Sequence, residues 1–225
     1  LNTDHAQHLI TVANAKNLHI MVGHLLHYHD SVKLIKQYIS DGHLGDIRHI
    51  ISNRQSHGIL RSFENVLWSF APHDISVALS LVGLQHEKLD ITDMTCSGSK
   101  SLGTDVHDVV NSSMMVNGVY VNINVNWLSP YKEQKMTIVG TEGMIVFDDV
   151  AKTLVLYDKP TALDTSGTVI ANKNGKSKII TPESQYSPLY NECSHFVNLC
   201  KGNVENVTNG NEGLRTLFVL RNFDE

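Results

Sequence analysis

From Leu89 to Tyr157 the chain offers one strand-patterned segment after another with no helical stretch between them, and this constrains the architecture more than any other feature. The segments Leu89–Ser97, Asp108–Val116, Val119–Leu128, Lys135–Gly140, Met144–Asp148 and Thr153–Tyr157 are rich in β-branched and aromatic residues and are separated by turn residues. Parallel neighbours need a crossover of a dozen or more residues, so strands joined this closely pair largely antiparallel. Asn117-Gly118 is a two-residue hairpin signal, because a type I′ turn requires positive φ at both centres. Thr141-Glu142-Gly143 reads as a second hairpin.

The flanks are helical. Thr3 can cap a helix with Ala6, Leu9, Ile10 and Ala13 on one side, which feeds a short apolar strand over His19–Gly23. A helix followed by a continuously apolar strand is the second half of a βαβ unit, and its parallel neighbours are not upstream. Ser31 caps a second helix burying Val32, Leu34, Ile35, Tyr38 and Ile39 and ending at Gly42. Ile47–Gln55 reads as a strand, and Pro72 as the first residue of a buried helix over 73–82 ending at Gly83. Residues 161–188 read as a surface loop, and two helices close the chain, from about Pro188 to Cys200 and about Asn211 to Phe223. The fold class is therefore α/β in the α+β sense: an open, mostly antiparallel sheet with helices on one face, preceded by a helix-strand pair.

A formal charge of −5 and a pI near 6.2 argue against a nucleic-acid partner, which favours a basic stripe. No apolar run approaches the ~20 residues of a membrane helix. Cys96, Cys193 and Cys200 form no CxxC and fit reduced thiols in a cytoplasmic protein. The sequons at Asn111 and Asn206 read as chance matches. The expected partner is a small molecule.

Thirteen histidines invite a metal reading, but His24, His27 and His29 are offset by three and two across a strand-to-helix junction, which suits neither a helical i, i+4 pair nor strand alternation. No metal site is expected. His73 and Asp74 differ, since they follow Pro72 inside the apolar run "VLWSFAPHDIS". In a first helical turn the free N–H groups and the dipole disfavour added positive charge, so His73 is expected to stay neutral and able to accept a hydroxyl proton. The same two residues could equally be a packing histidine and a favourable first-turn acid. Asn53, Arg54, Arg61, Asn65 and Trp68 lie upstream on the same connection; guanidiniums suit phosphate or carboxylate and an aromatic face suits a sugar or planar ring, so together they read as an anion and sugar site.

The stretches "IMVGHLLHYHDSVKLIKQYISDGHLGDIRHI", "NVLWSFAPHDISVALSLVG", "NWLSPYKEQKMTIVGTEGMIVFDD" and "ECSHFVNLCKGN" resemble, in this order, the glucose-fructose oxidoreductase, inositol dehydrogenase and rhizopine catabolism (Gfo/Idh/MocA) family. The chain looks most like its nucleotide-sugar branch, similar to UDP-N-acetylglucosamine 3-dehydrogenases. The resemblance implies a Rossmann domain binding NAD or NADP, followed by a substrate domain whose open sheet forms the homo-oligomer interface. Residues 1–30 would be the C-terminal remnant of the former and 31–225 the latter. It places His73 on the family's catalytic histidine, with Asp74 in the same motif. Arg54, Arg61, Asn65 and Lys132 would face the sugar or UDP-sugar substrate, and Gly23, His24 and Trp68 the cofactor. The family's glycine-rich turn, ribose-binding acid and Glu-Lys-Pro lysine would precede Leu1. Gly98-Ser99-Lys100-Ser101-Leu102-Gly103 matches neither a P-loop nor the Rossmann fingerprint. Two other readings compete: a non-catalytic sugar-binding or oligomerisation module, and a metal-dependent hydrolase using the histidine-rich loop.

Overall fold

The computed structural model describes residues 2–58, 61, 63–158, 161–163, 166–171, 175–183 and 185–224. Its centre is an eight-stranded sheet in the order β10-β7-β6-β5-β1-β4-β3-β2, built from β1 (Ile47–Gln55), β2 (Ile91–Ser99), β3 (Val109–Val116), β4 (Val119–Asn126), β5 (Glu133–Gly140), β6 (Gly143–Asp148), β7 (Thr153–Asp158) and β10 (Ser177–Ile179). Every pair is antiparallel except β1 with β4. The β3–β4 hairpin turns at Asn117 and Gly118, whose φ values of 50° and 80° are those a type I′ turn demands. Two short strands, β8 (Thr161–Leu163) and β9 (Val169–Ala171), pair with each other. The segment read as a loop over 161–188 thus contains three short strands among its described residues. Each is three residues long, too short for a period of two to show.

Alternation places the sheet's apolar side under the helices. On β4, Val119, Val121, Ile123 and Val125 are buried while Tyr120 is exposed, as a period of two requires. The covering helices are α2 (Asp30–Ser40), α3 (Val66–Gly83) and α5 (Gly210–Asp224), while α4 (Pro188–Cys200) packs beside Leu25–Tyr28. From α2, Val32, Ile35 and Ile39 enter the core at helical spacing, and Val219, Leu220 and Phe223 enter from α5. Helix α3 is apolar nearly all round and correspondingly buried. Among the described residues it is the one helix long and apolar enough to cross a membrane, and 61% of that span is buried inside the molecule.

Two boundaries and two caps differ from the sequence reading; the first helix is capped by Asn2, whose side chain accepts from Asp4 N–H, while Thr3 is already helical. First, α3 begins at Val66, capped by the Asn65 side chain accepting from Trp68 N–H, so Pro72 lies inside the helix rather than at its start. The run Val66–Ala71 is apolar enough to be buried, and that gain outweighs the helix hydrogen bond a proline cannot donate. Second, His19–Gly23 forms no strand. After α1 (Thr3–Ala15), which packs along α5, this segment makes a single bridge from Met21 to Asn209, with Val22 N–H donating to Thr208. Strand geometry needs neighbours, and here the α5 approach supplies only one. A 3₁₀ turn over Leu25–Tyr28 follows, and the cap of α2 is His29, whose Nδ1 accepts from Ser31 N–H, rather than Ser31 itself.

Candidate functional site

His73 lies about two turns inside α3, so the free N–H groups of the helix start, on which the sequence reading relied, are out of its reach. Its imidazole is nevertheless held below its ordinary value, first by burial and then by the nearby Arg54 guanidinium, against an opposing pull from Asp74. The expected neutrality is reached by a different physical route. Its Nδ1 is buried without a hydrogen-bond partner, and its ring stands edge-on to His24 with centroids 6.2 Å apart.

Asp74 points the other way, to the sheet. Arg54 donates to it through Nε (2.6 Å) and Nη2 (3.1 Å), and Ser52 Oγ donates to the same carboxylate at 2.9 Å. Ser52 and Arg54 share the helix-facing side of β1, so alternation brings both beneath α3; Asn53 falls on the opposite face. The pair is nearly dry, with side chains 13% and 4% exposed. Arg54 therefore has its fork filled from within the protein, a different part from the one its motif position implies. Beyond it, the Gln134 amide can accept from Arg54 Nη1 (3.3 Å) and donate to Asp149 (3.2 Å). Asp149 is held far below the usual carboxylate range, chiefly by its bond to His29.

The remaining residues singled out in the sequence separate into two groups. Asn65 Nδ2 and Trp68 Nε1 each donate at 2.7 Å to Asp224 on the last turn of α5, and Arg61 pairs with Glu64. Trp68 and His24, with Pro72, line a largely apolar cavity of about 350 Å³ between α1, α3 and α5. Gly23 sits beside Glu192, whose Oε1 would lie 3.8 Å from an added Cβ. Lys132 is exposed in the turn before β5 and is not brought to His73 by any contact among the described residues. Gly98–Gly103 is the end of β2 and its following turn; the Ser101 and Leu102 N–H groups donate to Asp108 at 3.1 and 2.9 Å. That turn is filled by a carboxylate of the chain itself, and the described residues offer no glycine-rich cradle for a pyrophosphate.

Sequence reasoning missed a second set of polar groups behind His73. Glu212 of α5 accepts from His24 Nδ1 at 2.7 Å and from Ser76 Oγ at 2.5 Å, and His27 Nε2 meets Ser76 Oγ at 2.6 Å. Burial alone would raise Glu212, but the His24 and Ser76 bonds hold it below its ordinary value. No local signal marks Glu212, which reads as an ordinary first-turn acid; its partners are far away in sequence. No group of three or more His, Cys, Asp or Glu side chains that could hold a metal occurs among the described residues.

A family model described as the GFO/IDH/MocA C-terminal domain matches residues 32–146. No curated protein matches the sequence. Among solved structures, UDP-N-acetylglucosamine 3-dehydrogenase GnnA from Acidithiobacillus ferrooxidans is similar with a TM-score of 0.81 at 20% identity, over 99% of this chain and 66% of that one. An NAD-binding protein from Listeria innocua matches with a TM-score of 0.76 at 19% identity over 97% of this chain and 64% of that one. An oxidoreductase described as NADPH-dependent, from Desulfitobacterium hafniense, matches with 0.79 at 15% identity over 98% of this chain and 66% of that one. The chain thus spans about two thirds of the length of these neighbours, and the likeness is one of fold.

Proposed function

The chain belongs to the GFO/IDH/MocA family, and on that footing we propose that it is the substrate-side part of a nicotinamide-dependent oxidoreductase acting on a hydroxyl-bearing carbon of a sugar or nucleotide sugar. The observation that carries this reading is His73: a neutral imidazole with one unpartnered buried nitrogen, backed by the Arg54–Asp74 pair and by His24. A neutral imidazole accepts the proton of an alcohol as it becomes a carbonyl, and returns it in reverse. Burial, then the Arg54 charge, keeps His73 unprotonated and so ready as a base, while Asp74 holds Arg54 in place and itself pulls His73 the other way. A bound NAD or NADP would take or give the hydride, with His24 and Trp68 the residues that would face its planar end, whereas its pyrophosphate finds no cradle among the described residues. Residues 1–30 are then the tail of a dinucleotide-binding domain and 31–225 the substrate domain. The outer face of the sheet, with Ile51, Val139 and Val146 half-buried, would join copies of the chain.

The test is turnover of nucleotide sugars with NAD or NADP by a protein uniting this chain with a dinucleotide-binding domain. His73→Ala should lower kcat by roughly 10²-fold or more while NADH affinity holds; unchanged turnover refutes the assignment. One observation favours a non-catalytic sugar-binding module instead, namely that Arg54, Asn65 and Trp68 are all engaged inside the protein. Saturable UDP-sugar binding without any turnover would establish that alternative.

A further inference from the structure

Behind His73 the interior holds one continuous hydrogen-bonded path. Lys36 Nζ meets His27 Nδ1 at 3.0 Å; His27 Nε2 meets Ser76 Oγ at 2.6 Å; Ser76 Oγ meets Glu212 Oε1 at 2.5 Å; and Glu212 Oε2 meets His24 Nδ1 at 2.7 Å. The His24 ring then stands edge-on to His73. Four separate segments supply these groups: α2, the 3₁₀ turn, α3 and α5. The middle of the path is buried, with His27 3%, Ser76 0%, Glu212 7% and His24 6% exposed, although His27, Ser76 and Glu212 also line a cavity of about 440 Å³ with Arg215. The far end of the path is not, since Lys36 lines a cavity of about 480 Å³ together with Lys33, Asn191, His195 and Asn198.

We propose that this path is a proton relay, carrying the proton that His73 exchanges with the substrate hydroxyl between the active site and solvent at Lys36. The inference rests on the reading of His73 as the acid–base group. Two hydrogen-bond patterns of the path contain the same protons. With Lys36 as an ammonium it donates to His27 Nδ1, His27 Nε2–H donates to Ser76, and Ser76 donates to the Glu212 carboxylate. With Lys36 neutral it accepts from His27 Nδ1–H, Ser76 donates to His27 Nε2, and a protonated Glu212 donates to Ser76. Passing from the first to the second makes and breaks one N–H or O–H bond at each link and moves one proton from Lys36 to Glu212, leaving His27 and Ser76 unchanged in charge. Glu212 shares its other oxygen with His24 Nδ1, and a proton entering or leaving His24 Nδ1 is matched at the ring's opposite nitrogen; the last step, to the His73 ring 6.2 Å away between centroids, crosses a ring contact with no direct hydrogen bond.

The charges around the path suit this traffic. Burial, then Lys36, pushes His27 down to about 4, so it is neutral and can accept on one nitrogen while donating from the other. Burial also pushes Lys36 down to about 8, within reach of both protonation states near neutral pH. Other charged or titratable neighbours are His24 and His73 beside His27, Arg54 and Asp74 beside His73, and Glu192, which feels His24. Tyr28, Lys33 and His195 lie in the cavity at Lys36, and Arg215, His86, Glu87 and Lys88 in the cavity lined by His27, Ser76 and Glu212. The hydrogen bonds run without a gap from Lys36 to His24, and a ring contact alone joins His24 to His73; a network serving only to satisfy buried polar groups would not need to run from solvent to the neighbour of His73.

The chain itself gives the first readout. Side-chain ¹⁵N NMR should show His27 neutral, with its proton on Nε2 while Lys36 is an ammonium and moving to Nδ1 as Lys36 loses its proton, and His24 with a proton on Nδ1; a protonated His27, or a His27 tautomer that does not change as Lys36 titrates, overturns the relay. The second readout is kinetic, in the protein that includes a dinucleotide-binding domain. Ser76→Ala removes the hydroxyl link and should reduce kcat on the order of tenfold in dilute bulky buffer, with rate restored by added imidazole and little change in sugar KM. Ser76→Thr, which keeps the hydroxyl, should retain most of the rate. A Ser76→Ala rate that is unaltered, or that falls without any response to imidazole, overturns the relay. Absence of nicotinamide turnover in the unsubstituted protein overturns the proposed function and the relay with it, and the NMR pattern separates that outcome from a path that never existed.

Discussion

Removing Asp74 tests whether Arg54 belongs to the fold or to a ligand. Asp74→Ala strips Arg54 of two charge-assisted bonds, at 2.6 and 3.1 Å, and Ser52 of one at 2.9 Å, in a site whose side chains are 13% and 4% exposed. Breaking a buried pair from one side leaves an uncompensated charge and costs about 3–5 kcal/mol. With a urea m value of about 2–3 kcal/mol/M for a chain of this size, the unfolding midpoint should fall by about 1–2.5 M. Arg54→Ala should cost a similar amount, because Asp74 is then left with Ser52 alone. The double variant Arg54→Met/Asp74→Leu should cost far less than the two single effects added together, since no buried charge remains. Urea unfolding followed by far-UV circular dichroism gives all three midpoints. A second readout separates electrostatics from packing: Arg54 depresses His73, so the His73 imidazole should titrate at higher pH in Arg54→Ala. Single variants each costing under about 1 kcal/mol, or a double variant equal to their sum, would refute the account and return Arg54 to the pool of ligand contacts.

Acid should act through His27. Its folded value of about 4 lies below the ordinary 6.5, so the unfolded chain binds more protons between these values, and stability is full above pH 6.5 and lost as pH falls toward 4; the loss is on the order of 3 kcal/mol. Thermal melts at pH 7 and 4.5 should show it, and His27→Gln should flatten the difference. Asn65→Ala removes both the α3 cap and the bond to Asp224 and should cost about 1–2 kcal/mol; an unchanged melting temperature would show that the cap is idle. Gly213→Ala places a methyl 2.6 Å from Val22 Cγ2, so α5 must part from the 19–23 segment, and faster amide exchange at Val22, which donates to Thr208, should report it.

Much of this was legible in the sequence, and what was not has identifiable causes. The antiparallel sheet and its Asn117-Gly118 hairpin follow from local patterns that act over a few residues, and both formed. The start of α3 was misplaced because Pro72 carries a strong local preference that burial of Val66, Leu67 and Ala71 overrides. The parallel pairing of β1 with β4, and the meeting of His24 with Glu212, are long-range facts with no local mark. The site was legible in part: alternation along β1 explains why Arg54 reaches Asp74 and Asn53 does not, but only once the sheet's covered face is known. Asn65 and Trp68 could not be separated from ligand contacts without Asp224, which lies on the far end of the chain.

The position of β1 also governs how the molecule can assemble. Its two neighbours are β4 and β5, so the strand emerges from the ribosome long before either exists. The hairpins β3–β4, β5–β6 and β6–β7 can close locally and quickly, whereas β1 must wait and then enter between two finished ribbons, a loop closure that slows folding. Until Asn126 is synthesised, Ile47, Ile50 and Ile51 present a strand with both edges unpaired, the form most prone to join another chain, and one edge stays open until Gly140. Nascent chains halted before that residue should aggregate or hold a chaperone, and chains halted beyond Asp148 should already resist protease across β1.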